Sequence, residues 1–222
     1  GNSDIVIMGS MSKDAMEWAI LNGISFFVFD KERLETALKI SGKTEKKARI
    51  HLELETGMNR TGLDEKDIFI AADIINNNPE RFEIEGICTH FAGAESIANY
   101  YRIQHQKMNY NRLKKLLNGK LNSTAKIDHS ACSAACVRYP ETRMDMVRIG
   151  IMQYGFWPSP ETFLEYRKLN KIKKSPLERL ISWKCEIMGL KNVKSGDYIG
   201  YGTSFLAYNE MTVAIVPVGY SH

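Results

Sequence analysis

Side chains that can bind anions or transfer protons follow several short apolar runs of this 222-residue chain. Arginine and histidine in such places suit the recognition of a phosphate or carboxylate, and histidine also suits acid–base catalysis. In a parallel barrel the catalytic groups lie where the strands end, so these side chains are expected to meet in one site. They are Arg60, His90, Ser133 and Arg148.

Strict alternation in residues 51–55 places His51, Glu53 and Glu55 on one face of a strand and two leucines on the other. A strand with one solvated face explains this pattern. A barrel strand covered by helices explains it equally, with the leucines outward and the polar residues at the barrel mouth. Carboxylates there need a cation nearby to stay ionised. Arg60, which follows a tight turn, is the candidate cation.

Residues 129–136 combine one histidine and two cysteines with small side chains. These ligand types suit zinc, but the spacing is not C-x-x-C, and a loop of small residues explains the cysteines equally well. The interpretation we favour is that backbone N–H groups around Ser133 approach a phosphate. Gly150 and Ile151 would then form the second half of the cradle, in the last barrel loops, where phosphates usually bind. No metal site is predicted.

Apolar runs of strand length alternate with segments of helical period through the first three quarters of the chain. This alternation predicts an α/β fold with parallel strands, the last of them at residues 147–152. Residues 8–11 lack the Gly-rich turn of an open dinucleotide-binding sheet, so a (β/α) TIM-type barrel is favoured over a doubly wound sheet. Period-two patterns after Pro176 predict an all-β unit. The predicted domains are residues 1–175 and 176–222.

The composition excludes several classes of protein. Thirty basic and 26 acidic residues, giving a net charge of +4, are mixed along the chain, so no nucleic-acid partner is expected. Apolar runs are far shorter than a membrane span, so no membrane association is expected. Four irregularly spaced cysteines and no charged-then-apolar leader favour the reducing cytoplasm.

A resemblance rests on five segments that follow one another at compatible spacing: residues 55–62 (ETGMNRTG), 86–92 (GICTHFA), 144–155 (MDMVRIGIMQYG), 199–203 (IGYGT) and 217–220 (PVGY). In this order they resemble the signature segments of bacterial alanine racemases. The likeness covers nearly the whole chain, and five matches together are far more specific than any one of them.

This resemblance implies an enzyme that uses pyridoxal 5'-phosphate (PLP). Its fold would be a PLP-binding barrel, incomplete at its N-terminus here, followed by the start of an all-β C-terminal domain. The family's activity is the two-base interconversion of L-alanine and D-alanine for peptidoglycan precursors. The implied assembly is a homodimer in which two subunits share each active site.

Residue by residue, the resemblance assigns cofactor contacts in the barrel. Arg148 matches the arginine that donates to the pyridine nitrogen, and His90 matches the histidine beside the ring. Arg60 matches the arginine near the phenolic oxygen and the substrate carboxylate. The phosphate cradle is matched by Ser133, Gly150 and Ile151.

In the all-β part, Tyr201 matches the catalytic base on the L-alanine side, which the partner subunit supplies, and Tyr220 matches a substrate-binding tyrosine near the entrance. A phenol is a poor base at neutral pH unless nearby cations lower its pKa. A core or hairpin position in the β unit is the alternative for both tyrosines.

The chain departs from the family pattern in two respects. The family's second base is a lysine that also carries the cofactor as a Schiff base, and no lysine of residues 1–222 lies in such a segment. The later C-terminal segments are not matched either, so we expect the central portion of a racemase that is inactive alone. Glu53 stands where many relatives have a lysine, and we hypothesise that it supports the site by pairing with Arg60.

Other functions remain open at this point. A serine racemase or another amino-acid racemase of the same fold is possible, because residues outside these segments set the side-chain preference. A non-catalytic fragment that binds PLP or dimerises is a second alternative. An unrelated barrel hydrolase using Glu53, Glu55 and His90 is a third, although these carboxylates lie on one strand rather than across a cleft.

Overall fold

The structure, a computed structural model, describes residues 3–219. The chain divides into two compact units, Gly1–Glu178 and Arg179–His222, and each is described by itself. The boundary that the sequence predicts between residues 175 and 176 stays a prediction.

The first unit contains five parallel strands that pair in chain order. Sequential order is the arrangement of a (β/α) barrel, whereas a doubly wound sheet reverses its order at a switch point. The unit is therefore an incomplete TIM-type barrel. Its strands are β1 (Val6–Ile7), β2 (Ser25–Val28), β3 (Ala48–Glu53), β4 (Phe82–Cys88) and β5 (Ile127–His129).

Four helices connect these strands and cover the outer face of the sheet: α1 (Lys13–Leu21), α2 (Lys31–Thr44), α3 (Glu65–Asn76) and α4 (Tyr100–Lys120). Two more helices, α5 (Ser133–Arg138) and α6 (Pro160–Asn170), follow β5. Ser12, Asp30, Asp64 and Ser159 each accept a backbone N–H of the first helical turn, which explains where four of the helices begin.

The core lies between the sheet and the helices. Leu52 and Leu54 are fully buried there, as expected of outward-facing barrel residues. His51 and Glu53, on the opposite face, are buried inside the barrel. The alternation in residues 51–55 is therefore that of a strand covered on both sides.

The predicted strand at residues 147–152 is wrong. Arg148 forms a single bridge with Cys132, and Ile151–Tyr154 is a 3-10 helix. The Gly150 N–H bonds the Ser133 hydroxyl at 2.9 Å instead of a strand partner. Gly155, at φ 85°, ends the turn. Because these contacts are tertiary, the apolar run alone did not reveal the turn.

The second unit contains short antiparallel strands. Strand β6 (Gly189–Val193) pairs with β9 (Met211–Ile215), and β7 (Tyr198–Ile199) pairs with β8 (Phe205–Leu206). The period-two pattern begins at residue 182, but regular strand pairing begins only at Gly189. Among residues 3–219, every helix is too short or too polar to cross a bilayer.

Candidate functional site

A cavity of about 1010 Å³ opens at the carboxyl ends of the barrel strands. All the barrel residues that the sequence assigns to a site line it. They are Glu53, Arg60, His90, Ser133, Arg148, Gly150 and Ile151. The tyrosines lie elsewhere along the chain: Tyr201 belongs to the second unit and is almost fully exposed there, and Tyr220 lies outside the described residues.

Arg148 is held by the ends of β4 and β5. Its Nη1 donates to His129 Nδ1 at 2.5 Å and to the His129 carbonyl at 3.1 Å. Its Nη2 donates to the Thr89 carbonyl at 2.6 Å. The Nε–H makes no hydrogen bond with any residue from 3 to 219. The guanidinium of Arg148 is thus fixed, and its Nε–H is a donor beside the cavity without a partner among residues 3–219.

The contact with Arg148 determines where His129 and His51 carry their protons. A guanidinium can only donate, so His129 Nδ1 is an acceptor and the ring proton lies on Nε2. His129 Nε2 lies 2.9 Å from His51 Nδ1, so it donates to that atom. His51 consequently carries its proton on Nε2. The result is a directed chain from Arg148 through two buried imidazoles, 78 residues apart in sequence.

Both imidazoles are kept neutral. Burial, followed by the charge of Arg148, lowers the pKa of His129 to about 3. Burial also lowers the pKa of His51 to about 4, although Glu85 opposes this effect. A protonated ring would lose an acceptor nitrogen and face the guanidinium with like charge. The neutral chain therefore preserves the orientation of Arg148.

These lowered pKa values predict that the protein loses stability in mild acid. In the unfolded chain the two histidines take up protons near pH 6.5, whereas in the fold they do so only at about 4 and 3. The unfolded state therefore binds more protons, and the free energy of unfolding falls as the pH drops from about 6.5 to 4. Melting curves across this range measure the slope. His51→Gln makes it shallower, and equal slopes in both proteins would contradict the neutral chain.

Gly86 provides the space for the histidine pair. The pairing of β3 with β4 shifts after Ile50, which sets His51 opposite Gly86. A Cβ on Gly86 would lie 2.4 Å from His51 Nδ1 and 3.2 Å from the Ile127 carbonyl oxygen. The Ile127 backbone and the buried His51 ring leave no space into which an added methyl group could shift. Only glycine, which has no side chain, therefore fits at this position.

We expect Gly86→Ala to lower the melting temperature. Overpacking of this kind costs about 1–3 kcal/mol, or several degrees for a chain of this size. Gly119→Ala is the matched control, because a Cβ on this exposed α4 residue meets nothing within 4 Å. Thermal unfolding compares the two variants. Equal melting temperatures would show that His51 moves aside freely.

The phosphate side of the cavity is formed by α5 and the turn after Arg148. Ser133, at the start of α5, is buried, and its Oγ accepts the Gly150 N–H. A Cβ on Gly150 would meet nothing within 4 Å, so the backbone faces open space. No cluster of residues 3–219 could hold a metal ion.

His90, Glu53 and Arg60 also line the cavity, and their charge states differ. Burial, followed by the charges of Arg148 and Arg60, lowers the pKa of His90 to about 4, so its ring is neutral. The ion pair hypothesised between Glu53 and Arg60 does not form: Glu53 Oε2 accepts the Thr61 hydroxyl at 2.9 Å. Burial raises the pKa of Glu53, although Arg60 lowers it electrostatically. Arg60 itself is exposed.

The sequence did not identify the histidine chain or Thr89. His51 was assigned to the polar face of its strand, and His129 was considered only as a ligand of a zinc site that was not favoured. Two histidines on inward-facing positions of barrel strands were the available signal. Their pairing depends on the strand register and on Gly86, which the residue pattern does not specify.

Comparison with known proteins gives two family matches along the chain. Residues 1–158 match the family model described as alanine racemase, N-terminal domain, and residues 180–222 match alanine racemase, C-terminal domain. The alanine racemase of Lactobacillus acidophilus is 34% identical over 217 residues, which are 98% of this chain and 55% of the relative. That of Halalkalibacterium halodurans is 33% identical over 99% of this chain and 54% of the relative. The chain thus spans about half the length of the curated relatives it matches.

Solved structures of alanine racemases also resemble this chain. The alanine racemase of Bacillus anthracis with bound L-Ala-P has a TM-score of 0.72 and 28% identity, over 99% of this chain and 54% of that one. The alanine racemase of Streptomyces coelicolor has a TM-score of 0.76 at 21% identity, a likeness of fold alone, over 99% of this chain and 56% of that one.

Proposed function

This chain belongs to the alanine racemase family, and on that premise we propose that the complete protein is a PLP-dependent racemase that interconverts L-alanine and D-alanine. Members of this family are isomerases. Support for the activity comes from the cavity at the strand ends, which gathers two arginines, a neutral histidine and a hydroxyl–amide pair.

The observation that carries the proposal is the state of Arg148. Four hydrogen bonds fix its terminal nitrogens, and its Nε–H is left for a ligand. A guanidinium can only donate hydrogen bonds, so a pyridine nitrogen bound there must accept with its lone pair and stays unprotonated. The Nε–H beside the cavity is thus available to an acceptor atom of a ligand.

The residues present fit PLP. A cavity of about 1010 Å³ has room for the cofactor together with parts of the complete protein. Arg148 would bind the ring nitrogen, His90 would lie beside the ring, and Ser133 with the backbone of Gly150 and Ile151 would bind the phosphate. The space beside Gly150 leaves room for the phosphate, which would replace Ser133 Oγ as the acceptor of the Gly150 N–H. When bound, PLP stabilises the negative charge that develops on the substrate's α-carbon.

The protein side chains then determine the outcome of proton removal. Arg148 keeps the ring nitrogen neutral, which limits delocalisation of charge into the ring and favours return of the proton to the α-carbon. Arg60 would orient the substrate carboxylate and contact the phenolic oxygen. Tyr201, supplied by the partner subunit, would remove or return the proton on the L-alanine side, and Tyr220 would bind substrate at the entrance. Glu53 would support the cofactor contacts through Thr61.

The wider assignments are part of the same proposal. We propose a homodimer with shared active sites, a cytoplasmic location, and a role in supplying D-alanine for peptidoglycan precursors. The domain boundary would lie between residues 175 and 176. Because none of the lysines in residues 1–222 has the context of the cofactor lysine, we expect this stretch to be inactive when produced alone.

The test is a titration of the complete protein with PLP, followed by a racemisation assay on L-alanine, L-serine and L-lysine. We expect a PLP absorbance change, racemised alanine, and a borohydride-stable pyridoxyl group on a lysine outside residues 1–222. Preference for serine would identify a serine racemase of the same fold. PLP binding without turnover would indicate a non-catalytic member, and absence of PLP binding would contradict the proposal.

A further inference from the structure

Thr89 is hydrogen-bonded both to Arg148 and to the start of the loop that carries Arg60. It follows β4 directly and is buried. Its hydroxyl donates to the Leu54 carbonyl at 2.8 Å. Since that proton is used, the Thr56 hydroxyl, 2.8 Å away, must be the donor to Thr89 Oγ1. Thr89 therefore joins the end of β3 to the loop that follows it.

That loop, residues 56–62, is the Arg60 loop, and its start is rigid. The Glu55 carboxylate accepts the Gly57 N–H at 2.5 Å and the Asn59 N–H at 2.9 Å. At the end of the loop, a Cβ on Gly62 would lie 2.6 Å from the Glu55 backbone nitrogen. The end of the loop therefore packs directly against the residue that precedes it. A displacement of Thr56 is thus transmitted to Arg60.

Helix α4 supports the same loop from outside. Asn109 Nδ2 donates to the Thr56 carbonyl at 3.1 Å, and Arg102 Nη2 donates to the Gly57 carbonyl at 3.2 Å. These bonds hold the outer side of the loop, whereas the hydroxyl pair of Thr56 and Thr89 is buried on its inner side. Because Arg60 forms no hydrogen bond or salt bridge of its own among residues 3–219, the loop backbone alone sets its place.

The other side of Thr89 holds Arg148. The Thr89 carbonyl accepts the Arg148 Nη2–H at 2.6 Å, the shortest backbone contact of that guanidinium. His90, the next residue, lines the cavity. One buried residue is therefore bonded to Arg148 through its carbonyl and to the Arg60 loop through its hydroxyl.

We propose that Thr89 is a positioning residue that holds the Arg60 loop in place relative to Arg148, with its hydroxyl bonded to the loop and its carbonyl bonded to Arg148. The two arginines are the groups that the proposed function places at the ring nitrogen and at the phenolic oxygen of the cofactor. The effect of Thr89 on catalysis rests on the proposed function. Its effect on the Arg60 loop does not depend on that function.

The test uses the complete protein with three substitutions. Thr89→Val keeps the shape and removes the hydroxyl, leaving the Leu54 carbonyl and the Thr56 hydroxyl unsatisfied. Thr89→Ser keeps the hydroxyl and is expected to restore function. Thr162→Val is the matched control, because Thr162 is also fully buried, its hydroxyl bonds Ser159 at 3.0 Å, and neither of these two residues lines the cavity.

Hydrogen exchange measured without cofactor tests the loop directly. In Thr89→Val we expect the amides of Gly57 and Asn59 to exchange about tenfold faster, because the loop loses its buried anchor. Thr89→Ser and Thr162→Val leave them within twofold of the original protein. Unchanged exchange in Thr89→Val would overturn the proposal. Should that variant not fold, Thr56→Val, which removes only the donor to Thr89, is expected to give the same acceleration.

Kinetics and cofactor affinity test the consequence at the site. We expect Thr89→Val to lower kcat/KM for alanine about 10- to 100-fold, with a raised KM and weaker PLP binding, since ångström displacements cost this much. Thr89→Ser restores both. Faster exchange with unchanged kinetics would overturn the positioning role. An unmodified protein that neither binds PLP nor racemises alanine would instead overturn the proposed function, and the exchange result would still decide whether Thr89 holds the loop.

Discussion

Replacing Arg148 with methionine in the complete protein is expected to lower kcat/KM for alanine by about 10²–10³-fold. Methionine has a similar reach but no donors, so the ring nitrogen loses its partner. The four hydrogen bonds to His129, Thr89 and Ser130 are lost together. The measurement is steady-state racemisation, together with a PLP titration to separate cofactor loss from slower turnover.

Arg112→Met is the matched control for Arg148→Met. Arg112 lies on the exposed side of α4 and pairs with Glu65. Exposed pairs of this kind contribute at most about 1 kcal/mol, so activity should not change. A loss of less than about tenfold in Arg148→Met, with PLP bound as tightly as before, would contradict the role given to the free Nε–H.

Replacing Tyr201 with phenylalanine is expected to reduce racemisation by about 10²–10⁴-fold without any loss of stability. In this structure Tyr201 is 99% exposed, so its hydroxyl supports nothing within its own unit. A tyrosine with a structural role would show the reverse pattern, lower stability with activity retained. The measurements are the racemisation rate from each enantiomer and a melting curve.

Tyr208→Phe controls for the loss of an exposed phenol in the same unit. Tyr208 is 76% exposed, and its variant should match the original protein in both rate and melting temperature. Equal rates in Tyr201→Phe and the original protein would exclude Tyr201 as the base. The second unit would then have to supply its catalytic group from another residue.

Regular elements of this fold were largely predictable from the sequence. Residues 13–21 have a helical period, and α1 has these bounds in the structure, where Ser12 caps its first turn. The apolar run at residues 48–54 is of strand length, and β3 occupies it as far as Glu53. In both places the local pattern and the packing lead to the same conformation.

Tertiary hydrogen bonds explain where the prediction failed. The run around Gly150 has the composition of a strand, but its amide is bound by Ser133, 17 residues earlier. Glu53 was expected to pair with Arg60 on the basis of charge, whereas the nearby Thr61 hydroxyl satisfies it. Neither outcome follows from residue type alone, because each depends on which partner the backbone brings within reach.

Residues of the candidate site were identified by resemblance, and the residues that hold them were not. Arg148, His90 and Ser133 lie in recognisable segments and all line the cavity. The roles of His129 and Thr89 in orienting Arg148 do not follow from residue type, because they depend on a ring tautomer and a backbone carbonyl.

The most direct test of the central claim is a crystal structure of the complete protein with PLP. We predict that the pyridine nitrogen lies about 3 Å from the guanidinium of Arg148, with the phosphate against Ser133, Gly150 and Ile151. The Nη1 and Nη2 bonds to His129 and Thr89 should be unchanged. A ring nitrogen facing a carboxylate, or a phosphate bound away from Ser133, would contradict the account.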